Sequence, residues 1–105
     1  MNQLIFPAKG VGETQPYVVN FSDRLQFGEA INGAATTASV FSGTDPLPVN
    51  ILSGSPTFTA TTLTQVITGG IVGVIYTIVF TVTGTGSHNY TKTAQLSVID
   101  PNAPF

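Results

Sequence analysis

Along residues 74–82, apolar residues fall on alternate positions: Val74, Tyr76, Ile78, Phe80 and Val82 share one parity, and Ile75, Thr77, Val79 and Thr81 share the other. A period of two predicts a β-strand with one uniformly apolar face and one mixed face. Gly84-Thr85-Gly86-Ser87 then supply turn chemistry, and Tyr90, Ala94, Leu96 and Val98 resume an apolar face at the same period. The two segments predict a long hairpin. Its inward set is Tyr76, Ile78 and Phe80; its outward set is Ile75, Thr77, Val79 and Thr81, continued on the next strand by Thr91, Thr93, Gln95 and Ser97.

Earlier in the chain, Tyr17, Val19 and Phe21 alternate with Val18, Asn20 and Ser22 and predict a first clear strand closed by Asp23. A second is expected near residues 34–41, stopping at the turn signal Ser42-Gly43-Thr44-Asp45-Pro46. Pro46 and Pro48 predict an extended stretch. Residues 50–52 lead into a turn at 53–56, and 57–61 with 63–68 read as one bent strand or two short ones, ended by Gly69-Gly70. Leu4, Ile5 and Phe6, just before Pro7, read as a short edge strand or as an apolar arm seeking a partner's surface. About six to eight short strands, with turn signals about every 8 to 12 residues and no helical period, predict an all-β fold and a β-sandwich. Gly73 three residues before Tyr76, with Ile78 and Phe80 on the same face, resembles the tyrosine corner of immunoglobulin-like domains, in which the hydroxyl bonds back to the backbone. The expectation is an immunoglobulin-like β-sandwich forming a single domain over residues 1–105, with 1–8 as an N-terminal arm or edge strand and 100–105 as a C-terminal tail.

Charge changes the picture more than any motif does. Of 105 residues only Lys9, Arg24, Lys92, Glu13, Asp23, Glu29, Asp45 and Asp100 are charged, 8% of the chain with a net charge of −2, where about 25% is usual. Three scattered basic residues make no footprint for a phosphate backbone, so nucleic acid is excluded as a partner. Arg24, next to Asp23 and near Glu29, predicts a local surface ion pair. The longest apolar run, near residues 69–80, is broken by Thr77 and glycines and is too short to span a bilayer. No membrane insertion is expected. The N-terminus lacks a basic region followed by an apolar run of about 7 to 15 residues, so no signal peptide is expected.

Catalytic chemistry finds no support. The chain has no cysteine, so a thiolate nucleophile, a thiolate metal site and a disulfide are all excluded. His88 is the only histidine and has neither a second imidazole for a metal shell nor a nucleophile to serve. The glycine pairs at 10/12, 69/70 and 84/86 precede no helix that could hold a phosphate, and the five carboxylates are dispersed. The expectation is a non-enzyme with no cofactor, no metal and no small-molecule substrate. The closing Asp100-Pro101-Asn102-Ala103-Pro104-Phe105 is similar to the calcium-ligating linker of a cadherin repeat but lacks the acidic motifs that complete such sites.

Three segments together resemble a family of small immunoglobulin-like bacteriophage virion proteins, the fiber-tail adaptors. They are Lys9-Gly10-Val11-Gly12-Glu13 leading to residues 17–25 and Gly28-Glu29-Ala30-Ile31; Gly69-Gly70-Ile71-Val72-Gly73-Val74-Ile75-Tyr76; and the closing strand over residues 92–98. In that family a Lys or Pro-Gly-Glu opening, a strand ending in serine beside an acidic residue, and a Gly-Gly-x-x-Gly-x-x-Tyr corner recur as turn and packing devices. The first-strand tryptophans are absent here, with Phe21 in that region, and the basic residues of the last hairpin are reduced to Lys92. The resemblance implies a virion structural protein made in the host cytoplasm, docking in several copies at the tail or its fibre junction on other virion proteins. Capsid decoration is the alternative role within the virion; an adhesion repeat binding carbohydrate or calcium is the alternative outside it. With Tyr76, Ile78, Phe80 and Gly73 as structural residues, the uncharged outward set Ile75, Thr77, Val79 and Thr81 is the expected docking face, and Leu4, Ile5 and Phe6 are the second candidate.

Overall fold

The computed structural model describes the backbone of residues 4–5 and all of residues 9–100. Phe6 and residues 101–105, which include most of the expected tail, lie outside the described residues. Eight strands run in chain order: β1 (Leu4–Ile5), β2 (Lys9–Gly10), β3 (Thr14–Asn20), β4 (Ile31–Ser42), β5 (Leu52–Phe58), β6 (Thr62–Thr68), β7 (Ile75–Gly84) and β8 (Asn89–Ile99). They form two packed sheets, an all-β sandwich. The larger has the order β1-β8-β7-β4, with β2 also on β8, and the smaller has the order β3-β6-β5.

Alternation along β7 decides which way each face points. Tyr76, Ile78, Phe80 and Val82 are fully buried, while Ile75, Thr77, Val79 and Thr81 are half-buried on the outer side. Antiparallel pairing with β8 sets Leu96 against Tyr76 and Ala94 against Ile78, and both partners are buried. Val19, Leu63 and Ile67 of the smaller sheet, with Phe21 just past β3 and Ile51 before β5, close the core from the other side. Each such side chain contributes about 1.5 to 3 kcal/mol on burial. Lys92 shares the inward parity, opposite Phe80, and stays solvated at its tip. Its ammonium sits 5.5 Å from the centroid of Phe21 and donates to the Asn20 carbonyl at 2.7 Å and to Asp23 at 2.8 Å.

Of the two readings of the opening residues the backbone takes the strand, and the chain departs from the predicted elements in three other places. Leu4–Ile5 is an edge strand, parallel to β8 with Leu4 opposite Ala94 and Ile5 opposite Gln95, so its backbone is held within the chain. Residues after Pro46 are not extended throughout: Pro48–Ile51 forms a 3₁₀ turn with proline at its start, where the fixed φ suits a helical turn and the missing N–H costs nothing. Ser53 to Pro56 are not a turn but an irregularity inside β5, between the pairs Ser53–Val66 and Thr57–Thr64. Buried Gln65 fills the gap, its side-chain amide donating to the carbonyls of Gly54 at 3.2 Å and Ser53 at 3.4 Å. Finally, β4 starts at Ile31, earlier than the expected strand near residues 34–41, because a register shift there absorbs two poor strand formers, Asn32 and Gly33.

Phe80 is fully buried at the centre of β7. Phe80→Ala is expected to cost about 3 to 5 kcal/mol in chemical denaturation; a loss below about 1 kcal/mol would mean that the two faces of β7 are reversed.

Candidate docking surface

Many of the charged side chains bond across the connections between strands, and two groups of them gather at opposite ends of the sandwich. At the end where β7 begins, Tyr76 accepts a hydrogen bond from the Ile71 N–H at 3.0 Å and donates to Asp45 Oδ2 at 2.6 Å. The Ile71 bond is the hydroxyl-to-backbone contact expected of Tyr76 from the sequence. Asp45, which the sequence marked only as a turn residue, also accepts from the Leu47 N–H at 2.9 Å, so the β4–β5 and β6–β7 connections are tied together. Burial of the phenol, followed by its bond to Asp45, pushes the Tyr76 pKa up to about 12. Gly73 takes a φ of 88° and donates from its N–H to the Val98 carbonyl at 3.0 Å. Gly70, with φ at 97°, lies so close to β8 that a Cβ would stand 2.7 Å from Val98 Cγ2.

Lys9 reaches the same corner from the other side. It is fully buried, and its ammonium donates to the Gly69 carbonyl at 2.8 Å and to that of Gly10 at 2.7 Å. Desolvation pushes its pKa down, partly opposed by the charge of Glu13. Glu13 in turn accepts from the Gly10 N–H at 2.8 Å. The opening Lys9-Gly10 segment and the Gly69-Gly70 corner, far apart in sequence, thus form one joint.

Glu29 organises the opposite end. Its side chain is 5% exposed, and its carboxylate accepts from the Tyr90 hydroxyl at 2.6 Å and from the N–H groups of Gln26 and Gly86, both at 3.1 Å; His88 Nδ1 lies 3.2 Å away. These bonds, the Tyr90 one foremost, hold its pKa down to about 2. A Cβ at Gly84 would fall on this carboxylate, so glycine is required there by close approach. Half-exposed His88 therefore supports a turn. Beside Arg24, Asp23 is bonded to Lys92 and held below its ordinary pKa, mainly by that bond and in smaller part by the charge of Arg24, while Arg24 donates to the Thr91 carbonyl at 3.2 Å.

With the charges drawn to the connections and to the inward parity of β8, the outer face of the larger sheet is neutral. Its rows are Ser39–Thr77–Gln95, Thr37–Val79–Thr93 and Ala35–Thr81–Thr91, followed by Ile75–Ser97. The predicted outward residues Ile75, Thr77, Val79 and Thr81 thus lie together. Leu4 and Ile5 lie at the β8 edge of the same sheet. Sequence reasoning missed a second apolar feature, the exposed Phe41, Leu47, Val49, Ile71 and Val72 around the Tyr76 corner and Phe27 in the loop beside Glu29. Their flanking glycines and prolines read only as turns. Among the described residues no three of His, Cys, Asp and Glu come together as metal ligands, and no helix is long and apolar enough to cross a membrane.

The family described as Podophage GP4 fiber-tail adaptor protein gp77 matches residues 9–97. The chain belongs to this family. Membership carries a structural adaptor role in a bacteriophage virion, with other tail and fibre proteins as binding partners. No curated protein and no solved structure matches the chain. In this adaptor the three stretches that resembled the family are the parts that meet at the joints: Lys9 and Glu13, Glu29, the Gly69-to-Tyr76 corner, and β8.

Two pH limbs follow. Glu29 has its pKa lowered from 4.5 to about 2, so its contribution to stability is present above pH 4.5 and is lost as pH falls toward 2. Glu29→Gln is expected to melt below the parent at neutral pH, the gap closing across that acid window; a constant gap would contradict the assignment. Tyr76 has its pKa raised from 10.0 to about 12, so its contribution is whole below pH 10 and is lost as pH climbs to about 12. Tyr76→Phe is expected to cost about 1 to 3 kcal/mol at neutral pH, because Asp45 and the Ile71 N–H lose their partner, and to lack the parent's decline over that alkaline window.

Proposed function

We propose that this adaptor is a non-enzymatic, immunoglobulin-like module that sits in several copies at the junction of tail and fibre and docks there through the outer face of its larger sheet. The strand order supports the immunoglobulin-like reading: β3-β6-β5 against β8-β7-β4 corresponds to strands B-E-D facing G-F-C, with Tyr76 near the start of the F equivalent.

The observation that carries the docking site is the distribution of charge. A solvated sheet face normally displays lysines and glutamates, yet Ile75, Thr77, Val79 and Thr81, with the neighbouring rows of β4 and β8, include no ionisable side chain. Such a face loses little when water is removed and gains from aliphatic burial, about 25 cal/mol for each Å² of apolar area. Its threonine hydroxyls offer donors and acceptors to a partner without the desolvation cost of a charge. Capsid decoration would use the same kind of surface, but the family's description as a fiber-tail adaptor supports the tail. The adhesion reading has no acidic cluster among the described residues to support calcium.

Val79 is half-buried and outside the core. Val79→Lys is expected to leave a folded protein with a melting temperature close to the parent's and to abolish incorporation into virions in a complementation assay. Normal incorporation of the lysine variant would reject this face as the docking site.

A further inference from the structure

The four outer edges of the two sheets are not equally protected. β3 carries Pro16 within its length, and β5 is interrupted at Ser53 to Thr57 and contains Gly54 and Pro56. β8 is covered by β1 and β2, and Arg24 bonds its Thr91 carbonyl. On β4 the register shifts fall only near its two ends, at Ile31–Gly33 and Val40–Ser42, and the run from Gly33 to Val40 between them is regular and, among the described residues, uncovered. β4 is the longest strand, 12 residues, pairs among the described residues only with β7, and contains neither proline nor a charged residue. Proteins blunt such an edge when it must stay free, because a long uncharged edge is a template for another strand.

We infer that the β4 edge is where a second copy of this chain pairs, antiparallel and across a two-fold axis near Thr37, so that two larger sheets become one. The strand is self-complementary about that axis. Ser39 would face Ala35 of the copy, and Phe41, which is 61% exposed and stands at the register shift that ends the regular run, would come over Gly33, the one position on this side with no side chain to compete for the space. A large ring over a glycine in the neighbouring strand is a stabilising cross-strand arrangement. Charge fits the same occupant: the whole segment from Ala30 to Thr44 is free of ionisable residues, so no like charges meet along the paired strands of two chains of net charge −2. The exposed Asn32, Ala35, Thr37, Ser39 and Phe41 would then be covered, and the neutral outer faces of the two copies would join into one continuous surface.

This inference stands apart from the docking reading, since it concerns the purified protein and the edge, not the face. The chain has no cysteine, so single cysteines report proximity cleanly. Residues directly opposite in an antiparallel pair have Cα atoms about 4.5 to 5.5 Å apart, within disulfide range. The test combines light scattering of the full chain over a concentration series with oxidation of Thr37→Cys and, as a control on the other sheet, Val18→Cys, both exposed positions. The expected result is a concentration-dependent dimer, with Thr37→Cys forming the covalent dimer at least about tenfold faster than Val18→Cys, and loss of the dimer in Thr37→Lys, where two like charges would oppose each other. A parent protein that stays monomeric up to about 1 mM, the concentration scale of the weakest specific pairing, would overturn the inference. So would a dimer in which the two cysteines cross-link equally fast, or a monomer whose β4 edge is instead taken by an extended segment of another virion protein.

Discussion

The hydroxyl of Tyr76 is the point on which the sandwich closes. It accepts from the Ile71 N–H and donates to Asp45, and those two residues belong to the two connections that cross between the sheets at that end. A buried phenol satisfied on both sides adds no desolvation debt to the core, whereas leaving either partner alone would cost more than the bond itself contributes. Lys9 completes the joint by holding the Gly69 carbonyl from the first crossover. The aliphatic interior supplies most of the stability but is indifferent to which loop goes where. These few polar bonds fix the loops.

A chain with so few charges uses nearly all of them in this way. Lys9, Glu13, Asp23, Arg24, Glu29, Asp45 and Lys92 each bond a loop or an adjoining strand. The consequence is a molecule with polar, organised ends and neutral sheet faces, a distribution opposite to that of a free domain, whose faces carry the solvating charge. For a protein of a fiber-tail adaptor family, whose working state is an assembly, neutral faces are the surfaces that can be buried at least cost.

Much of this was legible in the sequence because the period of two is strong where it matters. β7 and β8 were readable residue by residue, and the parity of Tyr76, Ile78 and Phe80 placed both the core and the outer face. What escaped the sequence was long-range. Nothing local tells that Asp45 meets a tyrosine 31 positions away, that Glu29 accepts from Tyr90, or that a lysine in the opening segment is buried against a glycine carbonyl. The Ser53 to Pro56 cluster carries every turn signal, yet it forms an irregular edge strand because a side chain on β6, Gln65, replaces the missing ladder bonds. Likewise Pro48 reads as extended locally and starts a 3₁₀ turn in context.

The most direct test of the account is the accessibility of the outer face inside the assembled particle. Because the chain lacks cysteine, Val79→Cys and Val18→Cys can be compared by maleimide labelling, in the free protein and in any virions that incorporate them. The account predicts that both label in the free protein and that only the Val18→Cys site still labels in virions. Equal labelling of the two sites in the virion would contradict it.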